Sequence, residues 1–143
     1  MIRRLRAAGD DLLDQPDVLA ELVQRETGKP LAEAFGAEVV GVADVFAYWC
    51  QRGPALLEPR AGRIPRLEMP GKRARIDRLP RGVVAIIAPW NFPVAIPIRN
   101  IVPALLAGNA VVLKPSEVSP ASGRWLIERL RASLGDVVGL VEG

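Results

Sequence analysis

The chain contains no histidine and a single cysteine, Cys50. Without an imidazole, Ser-His and Cys-His catalysis within these residues is excluded. One thiol and no imidazole leave no ordinary zinc ligand set either. A lone cysteine builds no disulfide framework, which fits a reducing compartment and sets a cytoplasmic expectation. No apolar run approaches the roughly 20 residues of a membrane span, so no membrane partner is expected. The opening stretch Met1–Gln15 has early arginines but no apolar signal-peptide core, and it turns acidic at Asp10. Two phosphate signatures are also missing, G-x-G-x-x-G after a strand and G-x-x-x-x-G-K-[ST] anywhere. A nucleotide held here is held by other means.

What is present is a chain of one-domain length, 143 residues, 50% hydrophobic and 24% charged, which places it among globular rather than disordered proteins. Its net charge of +3 is unevenly spread. Arg60, Arg63, Arg66, Lys72, Arg73, Arg75, Arg78 and Arg81 crowd one interval, against Glu68 and Asp77. A nucleic-acid patch would want aromatic side chains for base stacking, and the interval has none. Pro65, Pro70 and Pro80 rule out a recognition helix there. The interval reads as a solvated connector, and no nucleic-acid partner is expected.

The first third reads as helical. Ile2, Leu5, Leu12 and Leu13 mark a short amphipathic helix that fades at Asp14-Gln15. Asp17 is placed to cap a second, Val18 to Thr27, with Gly28 as its stop. Pro30 fits the start of a third helix running to about Gln51, ended by Gly53-Pro54. Its apolar set Phe35, Val39, Val42, Ala43, Phe46 and Trp49 follows steps of three and four. Cys50, near its end, has no base beside it and reads as a buried structural thiol. From Pro54 to Pro80 the short pieces Arg63–Leu67 and Ala74–Asp77 suggest edge strands or an extended arm.

Past Pro80 the pattern alternates. Val83–Ala88 is short, apolar and β-branched, as a strand buried on both faces reads. A helix is expected from Pro93 to Ala107, kinked near Pro97 and Pro103 and stopped by Gly108-Asn109. A second strand, Ala110–Leu113, precedes a helix with Ser119 as N-cap and Pro120 at its first position. Val137–Val141 is the third strand. The order β-α-β-α-β with short connections predicts parallel strands and right-handed crossovers. The fold class is therefore α/β: N-terminal helices, then one βαβαβ half of a Rossmann-like doubly wound sheet. Polar tips at the carboxyl ends of its strands, Pro89–Pro93 and Lys114–Glu117, flank a crevice of the ligand-binding kind.

Three blocks carry a family resemblance: Pro89-Trp90-Asn91-Phe92-Pro93, Ala104–Asn109, and Lys114-Pro115-Ser116-Glu117. In this order and spacing they resemble the NAD(P)-dependent aldehyde dehydrogenase superfamily, and Thr27–Leu31 resembles its N-terminal region. The resemblance implies that Asn91 donates its side-chain amide to the oxyanion of a thiohemiacetal. The competing reading is that Asn91 satisfies backbone groups at the following helix start. Ile87, Ala88, Pro89 and Trp90 match cofactor-lining positions, though Trp90 also reads as a core aromatic capping its strand. Lys114 and Glu117 match the pair that holds the adenosine ribose, or else form a surface ion pair of little worth. Ser116 touches the same ribose or caps its turn. A carboxylate at Glu117 would repel a 2′-phosphate, so the cofactor expected is NAD rather than NADP.

On this reading residues 1–53 are an N-terminal helical segment, 54–80 a basic arm or linker, and 81–143 the first half of the NAD-binding domain. The family's nucleophilic cysteine and general-base glutamate lie downstream of the asparagine, and Cys50 lies upstream of it. The expectation is part of an enzyme that oxidises an aldehyde to a carboxylic acid, inactive alone. It would meet an aldehyde only when completed by the missing half, as a homo-oligomer or with a complementary fragment. The alternative is a non-enzymatic remnant or interaction module that pairs with a full-length relative.

Overall fold

The computed structural model describes residues 1–65, 67 and 69–143. Arg66 and Glu68, both counted in the basic interval, lie outside the described residues. Helix α1 (Ile2–Leu13) buries Leu5, Ala8 and Leu12. Helix α2 (Pro16–Thr27) buries Leu19, Ala20 and Val23, and Gly28 ends it in the left-handed region at φ 73°. Its N-cap is Gln15 rather than the expected Asp17. Pro16 takes the first helical position, where its missing N–H costs nothing, and moves Asp17 into the first turn. A carboxylate in the first turn complements the helix dipole.

The expected third helix is one continuous run, 31–57, but with a π-helical segment (Phe35–Val40) between α3 (Leu31–Ala34) and α4 (Gly41–Leu57). The wider π turn admits an extra residue and shifts the buried stripe. Glu38 and Val39 turn inward while Phe35, expected in the core, is 36% exposed. Nor does the helix stop at Gly53-Pro54; Pro54 lies inside it. Gly53 is buried where a Cβ would come within 2.0 Å of Leu106 Cδ2. The close approach of α4 to α5 that this permits holds the last turn despite the hydrogen bond that Pro54 removes.

Strands β1 (Arg60–Gly62) and β2 (Ala74–Ile76) form an antiparallel pair. The expected piece around Ala74 is a strand, whereas the first strand lies upstream of Arg63–Leu67. The main sheet is parallel, in the order β3 (Val83–Ile87), β4 (Ala110–Lys114), β5 (Val138–Leu140). Helices α5 (Ala95–Leu106) and α6 (Pro120–Leu134) make the crossovers, and Pro103 sits within an unbroken α5. The α/β class and the βαβαβ order hold.

The strand Val83–Ile87 is not buried on both faces. Val83 is 66% and Ile87 80% exposed, and only Ile86 is buried. Among the described residues β3 pairs with β4 alone, so it is an edge strand with apolar side chains left open. Asn109 ties the start of this strand to the end of α5. Its Oδ1 accepts from the N–H of Arg81 at 2.5 Å and of Gly82 at 3.1 Å, while Nδ2 donates to the Ala104 carbonyl at 3.0 Å. Asn109 is thus both a helix stop and a cross-link between two elements.

Candidate functional site

Register brings the two strand tips together. Ile87 stands opposite Lys114 in the parallel pair, and the Ala88 N–H donates to the Lys114 carbonyl at 3.0 Å. The chain then leaves the sheet twice from the same end, as Pro89–Pro93 and as Pro115–Glu117. Ala88 is buried, whereas Ile87, Pro89 and Asn91 are exposed. Trp90 is 50% exposed, so it is not the core aromatic that the strand pattern allowed. An edge strand offers no second neighbour to cover it.

On the second tip Lys114 pairs with Glu117, whose side chain is 70% exposed. The Lys114 ammonium holds the Glu117 carboxyl below the usual carboxylate range. The Ser116 hydroxyl accepts from the Val118 N–H at 3.2 Å and so caps the turn. Ser119 occupies the N-cap position of α6, but its side chain makes no capping bond. The acceptor comes instead from α2. Glu26 receives the N–H of Ala121 at 2.7 Å and of Ser122 at 2.8 Å, together with the Ser122 hydroxyl. A carboxylate there satisfies helix-end amides and meets the positive end of the dipole.

Gly123 lets α6 lie directly on this tip, since a Cβ there would stand 2.5 Å from Pro115 Cβ and 2.7 Å from its Cγ. A proline ring yields little. Gly123→Ala is expected to cost about 1–3 kcal/mol of stability, read as a lower urea midpoint. An unchanged midpoint would show that the tip shifts freely.

The first tip is held from the helical region. Glu38, fully buried on the π segment, accepts through Oε2 from the N–H of Val94 at 3.0 Å and of Ala95 at 2.6 Å. Those are amides at the start of α5, the groups that the competing reading assigns to Asn91. Glu38 does that work, and the Asn91 side chain makes no hydrogen bond among the described residues. Lys29 lies 3.7 Å from Glu38 Oε1, donates to the Asn91 carbonyl at 2.7 Å, and sits 3.8 Å from the centre of the Phe92 ring. Burial pushes the Glu38 carboxyl up, opposed by the Ala95 and Val94 amides and by Lys29.

No motif marks Glu38, and Lys29 stands in the Thr27–Leu31 block with no role attached to it. One signal was there: Glu38, Val42 and Phe46 share a helical stripe at steps of four, an acid in line with core residues.

Two hollows meet at the tip. One, of about 240 Å³, is lined by Lys29, Trp90, Asn91 and Phe92 among others. The other, of about 340 Å³, runs from Asn91 and Phe92 along Ala95, Ile96 and Arg99, opposite Gly36 and Gly41. Cys50 borders neither; it is buried between α1 and α4, where desolvation raises its thiol, in keeping with a structural role. Among the described residues no cluster of acidic or thiol side chains could hold a metal ion, and no helix is long and apolar enough to cross a membrane.

Residues 2–140 match the aldehyde dehydrogenase family. The chain belongs to that family. It is 41% identical over 141 residues to a 4,4′-diapolycopene aldehyde oxidase of Methylomonas sp., covering 99% of this chain and 26% of that protein. Among solved structures, PnpE of Pseudomonas sp. in complex with nicotinamide adenine dinucleotide superimposes with a TM-score of 0.86 at 32% identity, over 99% of this chain and 28% of that one. An NADP-dependent glyceraldehyde-3-phosphate dehydrogenase of Bacillus halodurans, complexed with NADP, gives 0.87 at 30%, over 99% and 30%. The chain spans about a quarter of the length of the curated relatives it matches.

Proposed function

We propose that these residues supply the oxyanion donor and one half of the dinucleotide site of an enzyme that oxidises an aldehyde to a carboxylic acid with NAD(P)⁺. The observation that carries this reading is the free amide of Asn91 at an exposed strand tip, with the helix-start amides beside it already taken by Glu38. An amide N–H unspent on its own backbone is available to a developing alkoxide, where charge stabilisation counts most. Lys114 and Glu117, one strand over, would hold the adenosine ribose, while Ile87, Ala88, Pro89 and Trp90 would line the nicotinamide end. When bound, the dinucleotide supplies the hydride acceptor. The protein's part is to place the carbonyl carbon and keep the oxyanion paired.

The open apolar edge of β3, with Val83 and Ile87 exposed, fits pairing with further strands of a larger sheet or with another copy of the chain. The nucleophile would come from that completing part, since Cys50 is buried away from Asn91. The isolated 143 residues are accordingly expected to show no aldehyde-dependent NADH formation; turnover that Asn91→Ala abolishes would contradict this.

For the cofactor, relatives of both kinds are equally similar, and we read Glu117 as favouring NAD. Its depressed carboxyl stays ionised and would repel a 2′-phosphate. Calorimetric titration is expected to give tighter binding of NAD than of NADP by about 10-fold, narrowed by Glu117→Gln. Equal binding of both by the unaltered protein would remove the preference.

A further inference from the structure

The donor role proposed for Asn91 demands a fixed direction, and the tip's own sequence does not provide one. Pro89 and Pro93 restrict themselves and the residues before them, Ala88 and Phe92, and leave Trp90 and Asn91 soft. Asn91 is exposed, so its side chain is not held by packing. What does reach it is Lys29, from the α2–α3 loop, 62 residues earlier. Building on that role, we infer that Lys29, seated by Glu38, is the residue that positions Asn91 for catalysis.

Lys29 Nζ has three hydrogens to place. One goes to the Asn91 carbonyl at 2.7 Å. The ammonium also faces Glu38 Oε1 at 3.7 Å, a buried oxygen with no hydrogen-bond partner, and covers the Phe92 ring at 3.8 Å. The Lys29 side chain is only 9% exposed, and its bond to Asn91 is made at the surface end of this buried stem. Glu38 at the same time holds the amides of Val94 and Ala95. One carboxylate thus anchors the chain twice just after Asn91, through Lys29 at the Asn91 carbonyl and through the amides at the start of α5. Fixing the Asn91 carbonyl fixes the plane of the Asn91–Phe92 peptide, and with it the position of the Asn91 Cα from which the side chain leaves, narrowing the directions it can take.

The test needs a readout that a general loss of stability would not move. Lys29→Met keeps the apolar stem and removes the donors. In ¹⁵N relaxation of the 143-residue chain, the Asn91 and Phe92 amides are expected to lose order in this variant while those of α5 keep theirs. Unchanged order at Asn91 overturns the inference whatever Asn91 does in catalysis. In an enzyme completed as proposed, Lys29→Met is expected to lower kcat about 10- to 100-fold with the cofactor KM unchanged. Added to Asn91→Ala it should cost no more than about 2-fold further, because it acts through that residue. A full Lys29→Met effect in the Asn91→Ala background overturns the inference and leaves the Asn91 role standing. Loss of kcat in Lys29→Met with none in Asn91→Ala overturns both.

Discussion

In an enzyme completed as proposed, Asn91→Ala is expected to lower the turnover of aldehyde oxidation by about 10²–10³-fold. The alanine removes one amide donor and leaves the backbone of the tip as it was, since Lys29 bonds to the Asn91 carbonyl and Glu38 to the amides beyond. The loss should therefore fall on kcat and not on cofactor affinity, because the oxyanion exists only beyond the ground state. Steady-state kinetics with a calorimetric cofactor titration separate the two. A variant with normal kcat would remove Asn91 from the mechanism. One with weakened cofactor binding and normal kcat at saturation would make it a binding residue only.

Glu38→Ala carries the largest expected effect on stability, about 3–5 kcal/mol. It strips two buried helix-start amides of their acceptor and leaves the Lys29 ammonium, 9% exposed, without its carboxylate. Urea unfolding followed by far-ultraviolet circular dichroism gives the number; a loss under about 1 kcal/mol would mean that water replaces the carboxylate freely. The pH dependence is a second signature. Burial raises the folded-state carboxyl above its unfolded value, so the folded chain holds that proton more tightly. This contribution to stability is present in full below the unfolded value and is lost as pH rises through the folded one. Glu38→Gln should flatten stability over that window, and a slope unchanged by it would assign the titration elsewhere.

Much of the second half was legible because its signals are local. Short β-branched runs, proline and glycine punctuation, and helices of suitable length return β3, α5, β4, α6 and β5 within a residue or two. The misreadings lie where a local preference met a tertiary demand. Pro54 is tolerated inside α4 because the bare Gly53 lets α5 come close. The stripe on the third helix drifted because a π turn intervened, and a 3.6-residue period carries no trace of one. Ser119 has the residue type of a cap and the place of one, yet Glu26 takes the bonds.

By itself, then, the sequence determined the order of elements, the polar tips on two parallel strands, and the short list of side chains with which this chain can do chemistry. Periodicity and turn residues act over a few positions, and such effects can be read without coordinates. Tertiary structure alone decided which polar group satisfies which amide. Glu38 reaches Val94 across 56 residues and Glu26 reaches Ala121 across 95, because each buried N–H must find an acceptor wherever the packed chain brings one. Those two carboxylates cap the starts of α5 and α6 beside the two tips, and they leave the amide of Asn91 free at the first of them.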